Sequence, residues 1–104
     1  MSQHNAPHPG GFFLRNIIEP LGLSQAAAAR AMDITPATLS RFVKEQADLS
    51  PDMAVRLSKV FGQSVEFWMN LQQGYTISRV KKQKLFKQWE PAQRVKGEKL
   101  VACA

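Results

Sequence analysis

The sequence predicts an all-α fold: five helices followed by a basic C-terminal extension. Three observations carry that prediction. Apolar residues recur at three- and four-residue intervals, the spacing of one helix face. Helix starts are marked by hydroxyl residues, Ser24, Thr35, Ser50 and Ser64, and two of these precede a proline, Pro36 and Pro51. The stretch Gln25 to Met32 holds five alanines and no helix breaker.

The elements follow in order. Residues 1–7, MSQHNAP, are polar and without periodicity, and are predicted to be a disordered leader. His4 and His8 have no Cys, Asp or Glu cluster near them, so they read as solvated residues and not as metal ligands. Pro9 or Gly10 opens the first helix. Leu14, Ile17, Ile18 and Leu21 give it one apolar stripe, and Pro20 and Gly22 end it. Of Phe12 and Phe13, one is expected inside and the other over the edge of a neighbouring helix.

Ser24 caps the second helix. Asp33, Ile34 and Thr35 break the pattern, and Thr35 with Pro36 starts the third helix. Ala29, Met32, Ile34, Leu39 and Phe42 would meet across that turn, with Ala29 small enough for two helix axes to cross closely. Residues 45–49 form a loop. Ser50 and Pro51 begin a fourth helix with a core stripe of Ala54, Leu57, Val60 and Phe61, stopped by Gly62. Its N-terminus could meet a phosphate or simply pack. Ser64 caps a fifth helix that is expected to run to about Trp89, before Glu90-Pro91.

The fifth helix carries Phe67, Trp68, Leu71 and Tyr75 on a broad apolar face. This is more aromatic surface than a small core needs, so part of it is expected at a dimer contact, with burial inside the monomer as the alternative.

Bulk properties exclude several functions. One domain is expected from 104 residues. No apolar run reaches membrane-spanning length and no secretory signal opens the chain. The single Cys103 cannot form an internal disulfide and is read as a free thiol in a reducing cytoplasm. There are no paired carboxylates at useful spacing, no Ser or Cys beside a His, and no phosphate-cradling glycine loop, so no catalytic or metal site is expected. Charge is uneven. Residues 1–75 hold six basic and six acidic side chains, whereas residues 76–104 hold eight basic and two acidic ones. The high pI therefore comes from the tail, and the second and third helices must be judged on geometry.

That geometry suits DNA. Thr35, Ala37, Thr38, Ser40, Arg41 and Lys44 remain outside once Leu39 and Phe42 are turned inward. A helix with such an outer face fits a major groove, N-terminal residues toward the base edges. An ordinary helical hairpin would share much of the pattern. Gln25 to Lys44 resembles the helix-turn-helix of the lambda-repressor-like (Xre) family. Gln25 matches the glutamine that starts the first motif helix, Ala29 the small residue, and Leu39 and Phe42 the core aliphatics. Asp33 stands where the family usually has Gly, and Lys44-Glu45 where it often has Asn-Gly.

Three separated stretches extend the likeness. His8-Pro9-Gly10, Glu19 to Ser24, and Glu66 to Gln72 with Tyr75 resemble motifs of the HigA (VapI-like) antitoxins, with Val65 in place of the usual Pro. The resemblance spans about residues 8–80. It implies a helix-turn-helix DNA-binding and dimerisation domain over that range; residues 81–104, beyond it, read from their lysines as a basic tail. It also implies a homodimer on double-stranded operator DNA and a HigB-like mRNA-cleaving toxin as partner. A stand-alone regulator without a toxin is the alternative. Thr38, Ser40 and Arg41 are then expected at or near base edges, Arg41 as a bidentate guanine ligand. Gln25 is expected on phosphate, with Lys44 acting electrostatically. The tail, with Leu85, Phe86 and Trp89 among lysines, reads as a phosphate-following arm, a docking segment or a solvated tail.

Overall fold

The computed structural model describes residues 6–95, and the expectations for His4, Cys103, most of the leader and the end of the tail lie outside them. Among the described residues the fold is all-helical. α1 is a continuous helical stretch: α-helical Pro9–Phe13, a π-helical segment Leu14–Ile18, and a last turn Glu19–Leu21. It is followed by α2 Gln25–Ala31, α3 Pro36–Val43, α4 Pro51–Phe61, α5 Val65–Lys81 and α6 Lys84–Gln88. None of these is long and apolar enough to cross a membrane.

The predicted caps form through local hydrogen bonds. The hydroxyls of Ser24, Thr35, Ser50 and Ser64 each accept the backbone N–H three residues on, satisfying one orphan donor of each helix. The core gathers Phe13 and Ile18 of α1, Ala28 and Ala29 of α2, Leu39, Phe42 and Val43 of α3, Met53, Ala54 and Leu57 of α4, and Trp68 of α5. Phe13 is buried while Phe12 lies at the edge against Phe67 and Trp68, ring centroids 5.6 and 6.0 Å away.

Several expectations are corrected. Leu21, assigned to the core stripe of α1, is 66% exposed. The π-helical turn before it shifts the register, so a residue that would stack on Ile17 in a regular α-helix swings outward. Val60 is also partly outside, 39% exposed, while Ala54 and Leu57 of the same stripe are sealed. The fifth helix does not reach Trp89. It stops at Lys81, where Arg79 and Lys81 favour the negative end of the helix dipole, and a sixth, short helix follows a bend at Gln83.

His8 is not solvated but buried. It is the N-cap of α1, and its Nδ1 accepts the Gly10 N–H at 2.9 Å. Its ring lies edge-on to Tyr75, centroids 4.8 Å apart, and against Phe42 at 6.0 Å. An Nδ1 that accepts must carry no proton, so the neutral ring holds its hydrogen on Nε2, which is buried 3.9 Å from Asp48 Oδ1. Burial pushes the His8 pKa below its usual 6.5, against the opposing pull of Glu45 and Asp48. A folded pKa below the unfolded one means that the unfolded chain takes the proton first. The His8 contribution is therefore complete above about pH 6.5 and is lost as pH falls through the depressed value. Urea midpoints measured from pH 7.5 to 5 are expected to decline in the wild type and to decline less in His8→Asn, whose amide can still cap. Equal slopes in the two proteins would contradict this role.

Candidate nucleic-acid interface

The candidate surface is built on α2, the turn after it, and α3. α2 puts Ala28 and Ala29 against the core with no exposed area, and these small side chains let α3 cross close to it. Met32 closes α2, and Asp33 then adopts left-handed backbone, φ 55°. The Ile34 N–H reaches the Ala29 carbonyl at 3.0 Å and the Asp33 N–H the Arg30 carbonyl at 3.1 Å, which is the hydrogen-bond pattern of a Schellman closure. Asp thus takes the position for which glycine is usual, as short polar side chains tolerate it best after glycine.

The turn is held from outside by α4. Arg56 Nη1 donates to the Met32 carbonyl at 2.7 Å and to the Asp33 carbonyl at 3.1 Å, while its Nε donates to Asp52 Oδ2 at 2.8 Å. One guanidinium therefore satisfies carbonyls at the end of α2 and is itself aligned by a carboxylate one turn away. Sequence reasoning missed Arg56. The Asp52–Arg56 spacing was visible, but the carbonyl partners lie 23 and 24 residues away.

α3 divides as its spacing requires. Leu39, Phe42 and Val43 are buried. Ala37, Arg41 and Lys44 are exposed and stand four and three residues apart, one outward face, flanked by half-buried Thr38 and Ser40. Thr35, also exposed, accepts the Thr38 N–H at 3.1 Å, and the two hydroxyls lie 2.8 Å apart. The Thr38 hydroxyl is thus held at the N-terminal end of the outward face. Gln25 is exposed at the first position of α2. The structure brings the polar set of α3 to one surface.

The far end of α3 is closed in the same way as α2. Glu45 is left-handed, φ 64°, and the Gln46 N–H reaches the Arg41 carbonyl at 2.8 Å. The loop beyond is fastened to α5. The Leu49 N–H donates to the buried Gln72 Oε1 at 2.8 Å, and Gln72 Nε2 donates on to Thr76 Oγ1 at 3.0 Å. Arg79 Nη2 lies 3.7 Å from Asp48 Oδ2, with its guanidinium over the Tyr75 ring at 5.4 Å.

The aromatic face of α5 is largely spent inside the chain. Trp68 has no exposed area and packs among Phe12, Phe13 and Phe67, so its assignment to a dimer contact is withdrawn: the same indole cannot fill this core and reach a partner. Phe67, Leu71 and Tyr75 are half-buried and keep an outer edge. Among the described residues no group of three His, Cys, Asp or Glu side chains could hold a metal ion.

Comparison with known proteins agrees with this geometry. A family model described as helix-turn-helix matches residues 14–68. An HTH-type transcriptional regulator of Escherichia coli K12, YddM, is 38% identical over 82 residues, 79% of this chain and 86% of the relative. Virulence-associated protein A of Dichelobacter nodosus is 40% identical over 77 residues, 73% of this chain and 76% of the relative. Among solved structures, the Pseudomonas aeruginosa antitoxin HigA, determined with the higBA promoter, superposes with a TM-score of 0.73 at 33% identity, covering 86% of this chain and all of that one.

Proposed function

The chain belongs to the helix-turn-helix family of DNA-binding regulators, and from that premise we propose that it is an antitoxin of a toxin–antitoxin pair. It acts in the cytoplasm as a homodimer, binds its own operator and neutralises a HigB-like mRNA-cleaving toxin. The observation that carries the DNA half of this reading is the outward face of α3. Ala37, Thr38, Ser40, Arg41 and Lys44 face away from a back formed by Leu39, Phe42 and Val43. Such a helix can enter the major groove without exposing apolar core.

Arg41 supplies a fork that fits the O6 and N7 acceptors of guanine. Thr38 and Ser40 offer hydroxyls to bases or phosphates, Ala37 leaves room for close approach, and Thr35, Gln25 and Lys44 hold the backbone. The half-buried edges of Phe67, Leu71 and Tyr75 supply the dimer contact. Support for the antitoxin half is the likeness to HigA, a protein solved on its promoter. Relatives named only as transcriptional regulators favour a second reading, a regulator with no toxin.

DNA upstream of the chain's own gene tests both halves. Footprinting is expected to show two protected half-sites with centres about 34 Å apart, and the product of the adjacent gene is expected to co-purify. Protection without a co-purifying partner would select the stand-alone regulator. Absence of any protection would remove the operator-binding reading.

A further inference from the structure

We propose that residues 79–95 form a second DNA contact, an arm that binds backbone phosphates beside α3 and supplies most of the electrostatic affinity. The proposal rests on the operator-binding reading above and adds to it the source of the affinity.

Affinity for a duplex depends on cations that displace the counterions of its phosphates. The globular body lacks an excess of them. Arg15, Arg30, Arg41, Lys44, Arg56 and Lys59 are balanced by Glu19, Asp33, Glu45, Asp48, Asp52 and Glu66. Of these cations, Arg56 is already engaged with Asp52 and the turn carbonyls. A neutral body can place a recognition helix but attracts DNA weakly at a distance.

Residues 79–95 are different. They carry Arg79, Lys81, Lys82, Lys84, Lys87 and Arg94 against Glu90 alone. Lys82, Lys84 and Lys87 are exposed and make no ion pair among the described residues. The position of the segment matters as much as its charge. Arg79 lies beside Asp48, and Gln72 holds Leu49, so the end of α5 runs along the loop that leaves α3. The chain then bends at Gln83 into α6. The cations therefore emerge next to the C-terminal end of the recognition helix, where groove-flanking phosphates lie when such a helix is docked. Leu85, Phe86 and Trp89 stand exposed among them, each more than half accessible. With six cations against one carboxylate, residues 79–95 match a polyanion, and the vesicle measurement below separates a duplex from a lipid surface.

The test is a variant with Lys81, Lys82, Lys84 and Lys87 all changed to Gln, compared with wild type on operator and on random duplex between about 50 and 300 mM salt. Removing four phosphate contacts is expected to flatten the plot of log binding constant against log salt by about 3 to 4. Affinity is expected to fall about tenfold or more on both duplexes, with the footprint unchanged in position. Acrylamide quenching of Trp89 is expected to drop on adding DNA, and Trp68, being buried, will contribute little to that signal. An unchanged salt slope in the variant overturns the arm while leaving operator binding intact. So does a segment that binds phosphatidylglycerol vesicles yet leaves the DNA affinity unmoved. A wild-type chain with no affinity for the operator overturns both readings.

Discussion

Gly10→Ala is expected to lower folding stability by about 3 kcal/mol, the upper end of what an overpacked core side chain usually costs. Gly10 is buried at the second position of α1, where that helix meets the end of α3. A Cβ added there would run into the Phe42 carbonyl, with the carbonyl carbon only 2.6 Å away. The obstacle is backbone, so no rotamer change relieves it, and α1 must lift off α3. That motion would separate His8 from Phe42 and loosen Phe13, a sealed core ring. For a domain of this size 1 kcal/mol corresponds to roughly 4–8 °C, so the thermal midpoint is expected to fall by at least about 12 °C. Gly22 is the control. It has left-handed backbone, φ 63°, with nothing within 4 Å of an added Cβ, and its change to Ala should cost only the conformational penalty of about 1 kcal/mol. Circular dichroism melts of both variants check the prediction. A Gly10→Ala midpoint equal to that of Gly22→Ala would show that the two helices are not in the contact described.

This contact also shows where the sequence is silent. Caps at Ser24, Thr35, Ser50 and Ser64 are readable because donor and acceptor lie three residues apart. The break at Asp33 and the division of α3 into a buried back and an outward face are likewise readable from local residue order. Arg56 and Gln72 were not readable, because each reaches backbone about 23 residues away and no local pattern announces it. His8 lay between these cases. A polar residue directly before Pro9 is a capping position, but its burial depends on Phe42 and Tyr75, which only the tertiary fold brings there. The stripe of α1 failed at Leu21 because periodicity assumes 3.6 residues per turn and the π-helical segment does not keep it. For the candidate surface, local spacing sufficed to find the outer residues of α3. The fixtures that hold α3 at its angle came from elsewhere in the chain.

Arg41→Ala separates recognition from folding. Its guanidinium is exposed and takes no part in the hydrogen bonds or ion pairs that build the described fold, so its removal should leave the thermal midpoint where it is. On DNA the expectation is different. A bidentate contact to guanine carries about 1–3 kcal/mol of discrimination, roughly fivefold to more than a hundredfold at each half-site. Operator affinity should fall by that factor per protomer, one base position of each half-site should lose its preference, and random duplex should be bound nearly as before. Adding Thr38→Ala removes the second polar group of that face while the Thr35 hydroxyl can still accept a backbone N–H, so the helix start persists. The double variant should therefore stay folded, lose its operator, and still suppress growth arrest by the toxin if neutralisation uses another surface. Binding curves on operator and random DNA decide the first point, and a growth assay with the adjacent gene induced decides the second. Equal losses on both duplexes would place Arg41 on phosphate and leave base selection to Thr38, Ser40 and the shape of the groove.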